Sequence, residues 1–173
     1  MSALPSEPHP RSTAEPARAG AVDPERPAAG AAPDPLRVLV VDDEPTIRGV
    51  IAQVLRLDGH DATEAASAEE ALETFRERPF PLVITDVVMP GRSGLDLLRD
   101  VKAMEPDTLV AVMTSQASLE IATSALRGGA YDFLIKPFDD LILISALVER
   151  AGDKIALQSR NRLLANQLAV YAR

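Results

Sequence analysis

RVLVVDD, at residues 37–43, sets the architecture, because a short apolar run leads directly into two aspartates. The run LVITD, at residues 82–86, repeats the pattern and ends in Asp86. Two later apolar runs are followed by Thr114 and Lys136. Open parallel sheets bring the carboxyl ends of their strands to one edge and bind ligands there. We therefore expect these polar side chains to share one edge of a sheet.

Apolar spacing alternates between strand and helix periods along the chain. The predicted strands lie near residues 37–41, 60–64, 80–85, 108–113 and 131–135. Strands that alternate with helices through short connections are typical of an α/β, doubly wound parallel sheet. Right-handed crossovers leave few strand orders, and the order 2-1-3-4-5 sets the first and third strands side by side. We predict a (βα)5 fold with five parallel strands in that order.

Capping residues mark the predicted helix ends. Ser67 and Glu70 stand three residues apart and predict a capping box at the start of the second helix. Ser93 is predicted to cap a third helix that runs to about Met104. Gly128-Gly129 is predicted to end the fourth helix rather than to form a phosphate loop. These signals support five successive β-α units.

Residues 1–35 differ in composition from the rest of the chain. They hold eight of the fourteen prolines, many alanines and almost no large apolar side chains. Such a segment cannot offset its ordering entropy by burial, so we predict a disordered Pro/Ala-rich tail. A proline-rich docking ligand is the alternative, because Pro-x-x-P spacing occurs in it.

Composition restricts the partners and the compartment. The 173 residues are 46% apolar, which suffices for one domain with a sizeable core, and they carry a formal net charge of −8. An acidic chain lacks the basic face that direct nucleic-acid binding needs. The chain has no cysteine, no apolar run of about 20 residues and no signal peptide, so we expect a cytoplasmic protein without a membrane span.

Three carboxylates at one sheet edge repel one another, and this repulsion favours the binding of a cation. Mg²⁺ prefers oxygen ligands, and Asp43, Asp86 and the backbone carbonyl of Val88 are candidate ligands. A bound cation would also neutralise an incoming phosphoryl group, for which Asp86 is the candidate nucleophile. The Thr114 hydroxyl and the Lys136 ammonium group are candidate partners for the phosphoryl oxygens.

Four motifs over residues 36–150 resemble the receiver domain of bacterial response regulators. They are VVDDEP at residues 40–45, DVVMPGRSG at residues 86–94, MTS at residues 113–115 and KPF at residues 136–138. Each motif is weak alone, but four in this order at successive strand ends form a specific set. The resemblance implies a flavodoxin-like fold of the CheY type, in agreement with the predicted strand order.

The resemblance also implies a role for each residue of the set. Asp86 would accept a phosphoryl group from a histidine kinase or a phosphotransfer protein, while Asp42 and Asp43 would hold Mg²⁺ or Mn²⁺. Thr114 and Lys136 would sense the phosphoryl group. The chain would then be a phospho-acceptor switch of a two-component system, and not an enzyme with an external substrate.

Two further features of the family fall on the fifth strand and its end. An aromatic residue three positions before the lysine turns inward when the hydroxyl moves to the phosphate, and that position is Phe133. Simple core packing is the alternative for Phe133 and the favoured interpretation for Tyr131. The family's lysine-proline bond is cis, which implies a cis bond between Lys136 and Pro137.

The segment at residues 139–173 is predicted to form one long helix, longer than a receiver domain needs. One stripe should dock on the domain: Leu141, Ile144, Val148, Ala151 and Ile155. A second stripe falls near the opposite face: Leu157, Leu164, Leu168 and Tyr171. It should bind a second copy in a short coiled coil, with Asn161 as polar register residue, or an output domain absent from this chain. A kink near Gly152 or a frayed distal segment is the alternative.

The predicted organisation is a tail at residues 1–35, a receiver domain at residues 36–150 and a helical extension or linker at residues 151–173. The signal would pass to a downstream protein or to a missing output domain. A homodimer would form through the C-terminal helix, or through the face of the fourth helix, fifth strand and fifth helix. A phosphate-independent docking module and a small Mg²⁺-dependent phosphohydrolase are the alternatives. The adjacent aspartates at residues 42–43 disfavour the hydrolase, whose class carries Asp-x-Asp.

Overall fold

The computed structural model describes residues 34–138 and 140–171, so most of the predicted tail lies outside the described residues. Strands and helices alternate throughout. The strands are β1 Arg37–Val41, β2 Asp61–Ala65, β3 Leu82–Asp86, β4 Leu109–Thr114 and β5 Asp132–Ile135. The helices are α1 Pro45–Leu57, α2 Ala68–Glu77, α3 Gly94–Met104, α4 Leu119–Arg127 and α5 Ile142–Tyr171. The predicted elements are all present, and their ends differ from the predicted ones by at most three residues.

The five strands form one parallel sheet in the order β2-β1-β3-β4-β5, which confirms the prediction. The register sets Val41 of β1 opposite Thr85 of β3, and Asp86 opposite Met113 of β4. The carboxyl ends of the three central strands therefore lie side by side, at the point where the chain changes its direction of winding.

Two layers of helices cover the sheet. The α2, α3 and α4 helices pack on one face against Leu39, Val41, Val83 and Val110. The α1 and α5 helices pack on the other face against the alternate strand residues, such as Val38 and Ile84. Because both faces of the sheet are buried, the central strands are apolar throughout rather than alternating.

Serine residues cap α2 and α3, but only one of the two forms a complete capping box. The Ser93 hydroxyl accepts a hydrogen bond from the Asp96 amide, and the Asp96 carboxylate accepts one from the Ser93 amide. The Ser67 hydroxyl accepts a bond from the Glu70 amide as predicted. The Glu70 carboxylate, however, accepts its bond from the Ala66 amide, so the reciprocal half of the predicted box is wrong.

The α5 helix is continuous over 30 residues and is not interrupted at Gly152. Its docked part buries Ile144, Leu147, Val148 and Ala151 completely, whereas the side chain of Leu141 is 38% exposed. The prediction that Leu141 belongs to the docked stripe is therefore wrong, because it precedes the helix and lies at the domain surface.

The second stripe is exposed as predicted at three of its positions: Leu157, Leu164 and Leu168. An ion pair between Arg162 and Asp107 ties α5 to the loop before β4. Beyond Arg162 the described side chains of the helix are exposed as far as Ala169. Over residues 34–138 and 140–171, no helix has both the length and the hydropathy that a membrane span requires.

Candidate functional site

Three carboxylates meet at the carboxyl end of the sheet. Asp42 and Asp43 follow β1, Asp86 ends β3, and one carboxylate oxygen of each lies within 4.8 Å of the others. Asp42 and Asp86 are buried, whereas Asp43 is more accessible to solvent. The predicted clustering of the acids is therefore present in the fold, and the apolar strands that lead into them account for it.

Lys136 lies between the two buried carboxylates. Its Nζ donates hydrogen bonds to Asp42 Oδ2 at 2.9 Å and to Asp86 Oδ2 at 3.0 Å. The peptide bond from Lys136 to Pro137 is cis, as the resemblance implied. The amine thus offsets part of the negative charge that β1 and β3 bring together.

Burial and pairing act in opposite directions on the two members of this pair. Burial raises the pKa of Asp86 above its usual value, although the hydrogen bond from Lys136 opposes the rise. Burial alone would lower the pKa of Lys136, but the hydrogen bonds to Asp42 and Asp86 outweigh it and raise that pKa. Lys136 is therefore held as a cation between Asp42 and Asp86.

The remaining predicted residues surround the acids. Thr114 ends β4 and is fully buried, and its hydroxyl accepts a hydrogen bond from the Gln116 amide at 3.0 Å. The Thr114 carbonyl accepts a bond from the Lys136 amide, which ties the ends of β4 and β5. Val88 lies two residues beyond Asp86, and its amide donates to Asp86 Oδ1 at 3.3 Å. The structure thus gathers Thr114 and Val88 at the sheet edge.

The two aromatic residues near β5 lie on different faces of the sheet. Phe133 is half-buried and packs against the core cluster shared with α2, α3 and α4. Tyr131 packs against the cluster shared with α1 and α5, and the Lys154 ammonium group lies 5.1 Å from its ring centre. Core packing therefore accounts for Tyr131, and Phe133 lies on the side of the sheet that α4 covers.

Two contacts at the site were not predicted from the sequence, although Gly94 belongs to the motif DVVMPGRSG. A Cβ atom on Gly94 would lie 1.9 Å from the Asp86 carbonyl oxygen, so α3 approaches this strand end only with glycine there. The Arg48 guanidinium group donates to the Asp42 carbonyl at 2.7 Å. Neither residue type carries a sequence signal for these contacts, because a small residue after a helix cap and a charged residue on an amphipathic helix are both ordinary.

The fold and the acid cluster define the class of CheY-like α/β domains that receive signals in two-component systems. The response regulator receiver domain family matches residues 38–148, and the chain belongs to this family. This finding confirms the resemblance that the four motifs carry.

Several response regulators are similar to this chain in sequence. The response regulator PilR of Pseudomonas aeruginosa is 42% identical over 103 residues, which are 60% of this chain and 23% of PilR. FleR of the same organism is 36% identical over 146 residues, 79% of this chain and 31% of FleR. The chain thus spans about a quarter to a third of the length of these curated relatives.

A solved structure agrees with the fold. The beryllofluoride-activated NtrC4 receiver domain dimer is 34% identical and superposes with a TM-score of 0.65, over 69% of this chain and 98% of that chain. The shared region is thus nearly the whole of the solved receiver domain. The chain is a response regulator receiver domain of two-component systems, homologous to regulators of the PilR and NtrC type.

Proposed function

We propose that Asp86 accepts a phosphoryl group from a histidine kinase or a phosphotransfer protein in a Mg²⁺-dependent reaction. The observation that carries the proposal is the geometry at the sheet edge. A buried carboxylate on β3 lies 3.0 Å from the Lys136 ammonium group and within 4.8 Å of two further carboxylates. An Asp86 carboxylate oxygen attacks phosphorus, an acyl phosphate bond forms, and the bond from phosphorus to the donor nitrogen breaks.

The donor set fits a hard divalent cation. Asp42, Asp43 and Asp86 supply carboxylate oxygens, and the Val88 backbone carbonyl is the fourth proposed ligand. Oxygen ligands suit Mg²⁺ first, and Mn²⁺ is a chemically reasonable substitute. The ion, when bound, neutralises negative charge on the transferring phosphoryl group.

Two side chains then respond to the new charge. The Lys136 ammonium group pairs with a phosphoryl oxygen, which competes with its bonds to Asp42 and Asp86. The Thr114 hydroxyl donates to another phosphoryl oxygen. Movement of Thr114 opens space for Phe133, which changes the surface around α4 and β5. The protein is a phospho-acceptor switch that at most hydrolyses its own acyl phosphate.

The output passes through protein contacts. We assign residues 1–35 to a tail, residues 36–150 to the receiver domain and residues 151–173 to a linker toward a partner or an output domain. Exposed positions Leu157, Asn161, Leu164 and Leu168 follow one another at spacings of 4, 3 and 4, which is a heptad pattern with a polar register residue. A second copy of the chain fits this stripe, in line with the dimeric state named for the NtrC4 receiver domain.

The direct test combines acetyl phosphate and Mg²⁺ with wild type, Asp86→Asn and the control Asp100→Asn, whose carboxylate lies on the surface of α3. Intact mass spectrometry should show one added phosphoryl group on wild type and on the control, and none on Asp86→Asn. A chain without an adduct under any condition would instead be a phosphate-independent docking module. Turnover of a separate phosphate ester would support the phosphohydrolase.

A further inference from the structure

Every polar group of Asp42 is held by a hydrogen bond. Its amide donates to the Ala65 carbonyl, Oδ1 accepts from the Glu44 amide at 2.9 Å, and Oδ2 accepts from Lys136 at 2.9 Å. The carbonyl oxygen, which belongs to the peptide between Asp42 and Asp43, accepts from Arg48 Nη1 at 2.7 Å. Arg48 therefore contacts the peptide that leads into the more accessible acid.

The Asp43 side chain depends on that peptide for its direction. Within residues 34–138 and 140–171, the Asp43 carboxylate takes part in no hydrogen bond or ion pair. Its position near Asp86 is therefore set by the backbone, not by contacts of its own. A bond that fixes the orientation of the preceding peptide restricts where this carboxylate lies.

Arg48 is itself braced by the edge strand. Its Nε lies 3.5 Å from Glu64 Oε2 on β2, and only 17% of the Arg48 side chain is exposed. The other oxygen of the same carboxylate accepts a bond at 3.1 Å from Arg56, which lies eight residues further along α1. Arg56 also donates to the Ala62 carbonyl. Glu64 thus pairs with both arginines of α1, but only Arg48 also contacts Asp42.

We propose that Arg48 is a positioning residue of the metal site: its bond to the Asp42 carbonyl, braced by Glu64, orients the Asp42–Asp43 peptide and so holds the Asp43 carboxylate for the cation. The inference rests on the proposed function, because the cation is part of it. Arg48 does not touch the reacting atoms. Its effect is exerted through Asp43.

The chain offers a matched control. Arg56→Ala removes an arginine from the same helix, with the same partner Glu64 and a backbone carbonyl bond, but without a contact to Asp42. Mg²⁺ affinity of the full chain is measured by calorimetry, and unfolding by urea is measured in parallel. We expect Arg48→Ala to raise the dissociation constant for Mg²⁺ about tenfold, the usual scale for loss of a residue that orients a ligand. Arg56→Ala should leave it nearly unchanged.

Lysine at position 48 tests the geometry. A lysine keeps the charge and can still donate hydrogen bonds, but its single ammonium nitrogen cannot bond the Asp42 carbonyl and Glu64 with a planar fork. Arg48→Lys should therefore give an affinity between those of wild type and Arg48→Ala. If Arg48→Ala does not fold, the Mg²⁺ affinity of Arg48→Lys alone tests whether Arg48 positions the metal site. Equal losses of affinity in the Arg48 and Arg56 variants would show a general loss of stability and would overturn the proposal.

Amide exchange in metal-free buffer separates this proposal from the proposed function. The Glu44 amide is hydrogen-bonded to Asp42 Oδ1, so its exchange rate reports the order of the segment between β1 and α1. Arg48→Ala should speed its exchange, whereas Arg56→Ala should not. If wild type fails to bind Mg²⁺, the proposed function fails. If Mg²⁺ binds but Arg48→Ala changes neither the affinity nor the exchange, only the role of Arg48 is refuted.

Discussion

The Lys136 ammonium group lies 3.0 Å from an Asp86 carboxylate oxygen, although 50 positions separate the two residues in the chain. The same amine lies 2.9 Å from Asp42. Two strand ends and the loop after β5 are thus joined by one cation inside the protein. The Lys136 ammonium group, which links these three segments, is also the group whose bonds the proposed phosphoryl transfer would change.

Replacement of Lys136 by methionine should destabilise the metal-free protein. The substitution leaves Asp42 and Asp86 buried without their cation, and loss of one partner of a buried pair usually costs about 3–5 kcal/mol. Urea unfolding without Mg²⁺ measures the loss. Saturating Mg²⁺ should restore part of it, because the ion supplies the missing positive charge. The control is Lys154→Met on α5, and an equal loss in that variant would contradict the explanation.

Replacement of Gly94 by alanine should be strongly unfavourable. The new Cβ would meet the backbone of Asp86, which cannot move aside as a flexible side chain does, so we expect a loss of about 3 kcal/mol or more. Gly152→Ala is the matched control, since no atom lies within 4 Å of a Cβ there. In the middle of α5 that change should stabilise by about 0.5–1 kcal/mol. Thermal unfolding of both variants checks the opposite signs.

Removal of the charge of Asp96, near the start of α3, should make the free energy of unfolding less dependent on pH in the acid range. The Ser93 hydroxyl and amide bond this carboxylate and lower its pKa below the usual value. A lowered folded-state pKa gives stability that is present above the unfolded pKa of about 4 and is lost as the pH falls through the folded value.

We therefore expect Asp96→Asn to cost about 0.3–1 kcal/mol near pH 7, the usual range for a charge at a helix N-terminus. The difference from wild type should narrow as the pH falls below about 4. Unfolding by urea at a series of pH values measures it. Glu77→Gln, in the last turn of α2, provides the comparison. A difference that stays constant down to pH 2–3 would refute the titration of Asp96 as its source.

The exposed heptad of α5 predicts a change in oligomeric mass. If the distal stripe joins two chains, aspartate at Leu164 and Leu168 should convert a dimer to a monomer, because charged groups in a coiled-coil seam lose their hydration. Light scattering of the phosphorylated chain measures the mass. Leu163→Asp alters an equally exposed neighbour outside the stripe and should leave the dimer intact. If the wild type is monomeric at all concentrations, the stripe does not join two chains, and an output domain is then the expected partner.

The sequence predicted those features that follow from periodic patterns. Apolar runs ending in acids gave the strands and their order, because burial on both faces and the crossover rule leave little freedom. The clustering of Asp42, Asp86 and Lys136 follows directly from that order. Where the sequence prediction was wrong, the cause was local: Glu70 reaches the amide of Ala66 instead of that of Ser67.

Other features depend on close three-dimensional contacts. Leu141 continues the apolar spacing of α5, but it lies before the first turn and outside the packed stripe. The need for glycine at position 94 arises from a backbone that is eight positions away in sequence. The contact of Arg48 with the Asp42 carbonyl could not be predicted from periodicity, because a largely buried arginine and a solvated one can occupy the same helical position.

The continuity of α5 has a mechanical consequence. Its docked part is fixed on the sheet by buried side chains and by the Arg162–Asp107 pair, whereas the last turns extend beyond them as a stiff rod. At 1.5 Å per residue, the part of α5 after Arg162 is about 13 Å long, so a tilt of about 20° at its base would displace its tip by about 5 Å. A tilt at the base of this segment thus becomes, at the end of the helix, a step comparable to the spacing between neighbouring strands.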